Sequence, residues 1–385
     1  MKFNLTKFVF KFYTIYLVLA LIGKLFIDYN KISWFVIFIY FIYLFFLILG
    51  LQLGSKIPKL ILKSKVIIRR IEFFTLLLVL FSFFLAVYKF SAIVEYAGGI
   101  KQVFGKADII RWKFINGEIS LFPSVMGYLT GLEHYNFALV LVLYKLKDRN
   151  IYLYLSIFSF ATTILSSFVM FGRVGILFNI FLLVAFFVIN NIKLITGRNI
   201  FLFLILNFIL NLPRLIRGTY DNFATTLNKI PFKIDIPSFL NIILLVFVYY
   251  FSSIYALDIY LKSEHDCSWG QQLFQPLFNI IARLFGMERG SLYEPFAEIP
   301  FKYNIYTIIK YIINDYSYFG LVIVPILMGT VIGYVFKYSS LEFIILQMFM
   351  IVFIFFSPLY NIYSFGTYFS ALIIAFIFAL FTKIK

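Results

Sequence analysis

Residues 304–336, NIYTIIKYIINDYSYFGLVIVPILMGTVIGYVF, hold the change of pattern that decides the fold class. Ile305, Ile308, Ile309, Ile312 and Ile313 stand at i, i+3, i+4, i+7 and i+8, the spacing of one helix face, and Lys310, Asn314 and Asp315 lie on the other side. Beyond Gly320 the chain turns almost purely apolar, for long enough to cross a bilayer as a helix. An amphipathic helix therefore leads directly into a membrane span.

The rest of the chain repeats the apolar half of that pattern. Of its 385 residues 63% are hydrophobic, 22% aromatic and only 13% charged, with a mean hydropathy of +0.96. Too few polar groups remain to coat a water-soluble domain. Apolar stretches near twenty residues recur without the strict alternation of β-barrel strands, so the fold class is all-α, a polytopic integral membrane protein. The net charge of +17 does not point to nucleic acid, because many Lys and Arg residues flank spans and no nucleic-acid-binding signature accompanies them. One cysteine, Cys267, rules out an internal disulfide framework. The basic start runs into a long apolar stretch with no small-residue cleavage site, which reads as a retained first span.

Spans are expected near 8–27, 32–53, 71–90, 123–144, 151–171, 174–190, 199–213, 317–336, 341–357 and 363–382, making about ten crossings in a single transmembrane domain, 1–385. The segment 239–261 is apolar enough to be an eleventh. Three basic regions are expected on the cytoplasmic side. They are Lys2, Lys7 and Lys11; Lys56, Lys59, Lys63, Lys65, Arg69 and Arg70; and Lys383 with Lys385. Both termini are then cytoplasmic and the number of crossings is even, which makes 239–261 a helix in the outer interface. Two long loops face outward, 91–122 and 214–316, and they carry most of the acids. Interfacial helices are expected in the second, near 239–261 and 304–316.

Candidate chemistry lies on that outer face. Arg214 and Arg217 share one helix face at i and i+3, Arg173 sits in the turn between the fifth and sixth spans, Arg111 in the first loop, and Arg283 and Arg289 in the second. A guanidinium binds phosphate as a permanently charged fork; the ordinary alternative is an arginine snorkelling to lipid headgroups. Glu288, Glu294, Glu298 and Asp315 supply carboxylates, solvated in the ordinary case and general bases if burial raises their pKa, and the stripe beside Asp315 fixes its direction. Glu133 and His134 fall inside the fourth span, where an ionisable pair is costly and marks function, unless the span begins later and they sit at its mouth. SEHDC at 263–267 fits no zinc-site spacing, and no Gly-rich phosphate loop is present, so neither metal nor cofactor is expected.

Asn304, Tyr306, Thr307, Asp315, Phe319, Gly320 and Gly329 resemble the C-terminal signature of bacterial oligosaccharide repeat-unit polymerases, the Wzy-type O-antigen polymerases. In that family Asp and Phe-Gly are nearly contiguous, whereas here Tyr316, Ser317 and Tyr318 intervene. MFGRVGILFNIFLLVAF (170–186) resembles the family's Arg-Gly hairpin, with Arg173 at the arginine, and YYFSSIYALDIYL (249–261) its aromatic segment before the large loop. The resemblance implies a glycosyltransferase of the bacterial inner membrane with a periplasmic active face. Its substrates would be oligosaccharides on undecaprenyl diphosphate, and a chain-length regulator stands as an open partner. Asp315, Glu294 and Glu298 would be candidate bases, the six arginines diphosphate ligands, and Glu133, His134, Tyr306 and Asn304 cavity-lining residues. An O-antigen ligase or a glycolipid flippase remains the alternative.

Overall fold

The computed structural model describes residues 3–29, 32–59, 68–115, 118–119, 121, 123, 125–169, 172–192, 196–197, 202, 205–206, 209–210, 230, 232–233, 248, 250–263, 267–287, 297–299, 301–303 and 305–381. In chain order the helices are α1 Leu5–Phe26, α2 Trp34–Lys56, α3 Ile68–Ala97, α4 Ile100–Gly105, α5 Ala107–Ile115, α6 Val125–Leu129, α7 Gly131–Lys147, α8 Asn150–Val169 and α9 Val174–Ile189. There follow α10 Ser253–Tyr260, α11 Gln275–Phe285, a small antiparallel pair β1 Ala297–Glu298 and β2 Lys302–Tyr303, and α12 Ile308–Tyr316. α13 Gly320–Val335, α14 Leu341–Phe356, a 3-10 turn at Ile362–Ser364 and α15 Gly366–Phe381 complete the described elements. Four of the described helices, α1, α2, α3 and α8, are long and apolar enough to cross a membrane, and α9, α13, α14 and α15 are shorter apolar helices. The chain is an all-α membrane protein.

The chain divides into two units, residues 1–60, 225–339 and 353–365 in the first and 61–224, 340–352 and 366–385 in the second. The first is built on α2 and α13, each of which carries two glycines one turn apart: Gly50 and Gly54, Gly329 and Gly333. A methyl group on Gly50 would fall on the Ile326 carbonyl oxygen, on Gly54 on that of Thr330, on Gly329 on that of Leu47 and on Gly333 on that of Leu51. The two backbones touch directly, the approach that small residues allow where lipid supplies no hydrophobic drive between helices.

The loops of this unit sort into two ends. At one, Phe3 meets Phe336, the Lys337 ammonium donates to the Ile57 carbonyl and Lys59 lies over the Tyr338 ring. At the other, Ile27 bridges to Phe232, the Ser33 hydroxyl donates to Asp258, the Ser253 hydroxyl to the Pro358 carbonyl and the Asn361 amide to the Leu273 carbonyl. The first of these ends is basic. A belt of tyrosines, Tyr13, Tyr16, Tyr40 and Tyr43, is buried between α1 and α2, with Tyr13 and Tyr16 bonded to Ser357 and Ser253.

The two segments expected as interfacial helices are described in part. In 308–316, Ile308, Ile309, Ile312 and Ile313 are buried, and so are Lys310 and Asp315 on the polar side. Of 239–261, positions 248 and 250–261 are described; α10 within it is buried from Ser253 to Asp258.

In the second unit the expected fourth span is broken. Gly131 sits so close to α15 that a methyl there would strike Thr367 and Ser370. The helix stops at Leu129 and restarts at Gly131, and the carbonyls of Gly127 and Tyr128 accept from the Thr367 and Ser370 hydroxyls, each at 2.7 Å. A backbone break inside an apolar layer survives when side chains take up the freed groups. α3 overshoots the expected span end at 90 and runs on to Ala97. Residues 91–115, at the start of the expected first loop, are largely helical: Ile93, Ala97, Val103, Ala107 and Ile110 form a core joining α3, α4 and α5.

Gly50→Leu and Gly329→Leu are expected to lower stability by about 1–3 kcal/mol or more, read as earlier thermal unfolding in detergent. Gly105→Ala, with nothing within 4 Å of the added carbon, is expected to leave the transition in place. Equal behaviour of the three would remove the close contact as the organising feature.

Candidate functional site

Among the described residues, the buried ionisable groups of the second unit, Lys89, Glu133 and His134, lie around the break between α6 and α7. Lys89, from the long α3, donates to Thr130 Oγ1 at 2.8 Å, to Ser166 Oγ at 2.6 Å and to Glu133 Oε1 at 3.2 Å, which uses all three ammonium protons. Lys89 and Glu133 are both nearly inaccessible, at 3% and 1% exposure. The Thr130 hydroxyl also donates back to the Met126 carbonyl, so the lysine is held at the helix break itself. Glu133 Oε2 has no hydrogen-bond partner, and neither does Asn136 Oδ1, one turn further along α7, whose amide donates to Ser82 Oγ at 2.7 Å.

Beside it runs a second chain of bonds. Thr163 donates to the Ser159 carbonyl at 3.3 Å and accepts from Asn179 Nδ2 at 2.9 Å. The amide is thereby turned with its oxygen towards His134 Nδ1, 2.7 Å away, so that nitrogen carries the proton. The His134 ring also packs against Phe178 and Tyr368. Gly175, in the first turn of α9, shows how near these walls stand: a carbon added there would lie 3.0 Å from Ser167 Oγ, 3.6 Å from His134 Cε1 and 3.7 Å from the Tyr368 hydroxyl. Arg173 is the N-cap residue of α9, two positions before Gly175, half-buried and engaged with its surroundings. The first turn of α9, capped by Arg173, thus lies beside the oriented His134 imidazole, and His134 follows Glu133 of the buried ion pair in the chain. Such groups can hold an anion and accept a proton.

Asp315 has a different setting, in the first unit. Its carboxylate accepts from the Ser268 hydroxyl, from the Gln272 amide at 3.2 Å and from the Leu273 amide at 2.6 Å. The amides of Ser268 and Trp269 in turn donate to the carbonyls of Asn314 and Asp315 at the end of α12. Trp269 and Gly270 adopt positive φ, 49° and 88°, to make this turn, and a side chain on Gly270 would strike the Tyr316 hydroxyl. Both carboxylate oxygens thus take part in anchoring residues 268–273. Burial, with Asp315 beside it, pushes the Tyr316 phenol above its usual range. Lys310 is enclosed by the rings of Tyr260, Tyr306 and Tyr311, each between 5.1 and 5.4 Å from its nitrogen, and reaches Gln272 Oε1 at 3.4 Å. Tyr306, expected to line a cavity, is therefore part of this enclosure.

Of the other expected residues, Glu298 is exposed on β1, Arg283 is exposed on α11, and Arg111 is half-buried on α5 and engaged. Arg214, Arg217, Arg289, Glu288, Glu294 and Asn304 lie outside the described residues. The residue that sequence reasoning missed is Lys89. Its signal was present: the apolar run does not end there but continues through Phe90, Ile93 and Val94, so the lysine is within a helix rather than at its tip. Compared with known proteins, the chain matches no family model, no curated protein and no solved structure.

Lys89→Met is expected to cost about 3–5 kcal/mol, because it strands a buried carboxylate. The double variant Lys89→Met with Glu133→Leu is expected to recover most of that loss in a detergent unfolding experiment. Additive losses would mean that the pair is not coupled.

Proposed function

We propose that this protein polymerises lipid-linked oligosaccharide repeat units at the periplasmic face of the bacterial inner membrane. In this reading both termini are cytoplasmic and the chain crosses the bilayer about ten times. The basic end of the first unit then faces the cytoplasm. The observation that carries the chemistry is the first turn of α9, capped by Arg173, set beside His134, the chain neighbour of Glu133 in the buried Lys89–Glu133 pair. The resemblance of Arg173 and the 304–329 signature to Wzy-type polymerases supplies the substrate class.

The reaction breaks the bond between the anomeric carbon of the growing glycan and its undecaprenyl diphosphate. A sugar hydroxyl of a second lipid-linked repeat forms the new bond to that carbon and gives up its proton. The diphosphate leaves as an anion, and a guanidinium at a helix N-terminus stabilises the charge as it develops. Glu133 Oε2, the carboxylate oxygen without a donor, is the acceptor this reading assigns for the proton. The apolar helices hold the enzyme where the polyprenyl tails are. Roles for Arg214, Arg217, Glu294 and Glu298 stand as part of the same proposal.

The test is the length of surface glycan on a gel, from a strain lacking the gene and complemented with wild type, Arg173→Ala, Arg173→Lys or Glu133→Gln. The null strain is expected to display single repeat units and the wild type to restore a ladder. Arg173→Ala and Glu133→Gln, expressed at wild-type level, are expected to reduce the ladder at least tenfold, the effect of losing a charged transition-state contact of about 1.4 kcal/mol or more. A full ladder in the null strain would exclude polymerisation. Loss of even the single-unit band would move the assignment to a ligase or a flippase.

A further inference from the structure

α11 presents an exposed apolar stripe. Leu277, Ile280, Ile281, Leu284 and Phe285 stand at i, i+3, i+4, i+7 and i+8 and are exposed, from 44% at Leu277 to 76% at Phe285. The opposite face, with Gln275, Pro276 and Ala282, is buried against the protein. The one charged residue of the helix, Arg283, falls away from the centre of the stripe. At 11 residues the helix is about 16 Å long, half of what a bilayer crossing needs. Pro276 in its first turn and Gly286 just past its end, at φ 67°, define it as a complete short helix.

Its position says what covers the stripe. The chain entering the helix is pinned by the Asn361 amide to the Leu273 carbonyl, and Asn361 lies just past the end of apolar α14 at Phe356. α11 therefore begins near the level where an apolar helix ends. Trp269, 78% exposed, precedes it, and Met287, 51% exposed, follows it; an exposed Trp is typical of the headgroup level. An uncharged stripe facing away from the protein at that level is the geometry of a helix resting in the membrane surface. We propose that α11 lies in the plane of the membrane with Leu277, Ile280, Ile281, Leu284 and Phe285 inserted below the lipid headgroups, so that the large loop is anchored to the bilayer surface.

The proposal is tested on the full chain in phosphatidylcholine–phosphatidylglycerol vesicles, with Cys267→Ser as background. Nitroxide labels are placed on single cysteines replacing Leu277, Ile281, Leu284 or Arg283. Relaxation by oxygen, which enters lipid, is compared with relaxation by a water-soluble nickel chelate. Oxygen is expected to exceed the chelate severalfold at 277, 281 and 284, and the order to reverse at 283. Chelate access equal to that of a water-exposed site along the stripe would overturn the proposal. So would exclusion of both reagents, which would indicate a second copy of the chain or another protein covering the face. These readouts do not depend on the glycan ladder, so the anchoring and the polymerase reading can fail separately.

Discussion

A polar atom among apolar helices has no water to turn to, and this constraint organises both halves of the molecule. The freed carbonyls of Gly127 and Tyr128 are met by hydroxyls of α15, the ammonium of Lys89 by Thr130, Ser166 and Glu133, and the carboxylate of Asp315 by a serine and two backbone amides. Each solution draws on residues far apart in sequence. A break in a helix or a charge in a span is tolerated only where the tertiary fold has already placed its partner.

The two units meet this constraint differently. In the first, glycines let α2 and α13 approach until their backbones touch, and buried tyrosines fill the space beside α1; the hydroxyls of Tyr13, Tyr16 and Tyr255 find serines and a carbonyl, whereas those of Thr14, Tyr40 and Thr307 have no partner. Other polar atoms there hold loops to helix ends, as Asp315 holds residues 268–273. In the second, the buried side-chain atoms without partners among the described residues are Glu133 Oε2 and Asn136 Oδ1, which share a face of α7. What sets this site apart is that one of them is a carboxylate oxygen, able to take up a proton, beside His134 in the chain.

The apolar helices were legible to within a few residues because long apolar runs are visible without knowing what they touch. The runs at 32–53, 174–190 and 341–357 form the helices α2, α9 and α14, of which α2 is among those long and apolar enough to cross a membrane. The break at Thr130 was less legible. Its cause is the proximity of α15, more than two hundred residues away in sequence, although Gly127 and Gly131 were there to be read. The glycine pairs at 50 and 54 and at 329 and 333 were equally visible, but only the structure says that they face one another.

For the site, the sequence by itself singled out some of the ionisable residues set among apolar stretches, because hydropathy shows them: Glu133, His134 and Arg173 were identifiable, and Lys89 was passed over. It also determined the amphipathic face of residues 305–313. What that face contacts, and whether a carboxylate is left with a free oxygen, only the tertiary structure decided. Asp315 and Glu133 look alike in sequence, each an acid beside an apolar helix. They differ because donors 42 to 47 residues away reach both oxygens of Asp315, whereas the donors around Glu133 reach one oxygen and leave the other bare. Hydrogen-bond satisfaction depends on groups that the chain brings together in space, and local sequence carries no record of them.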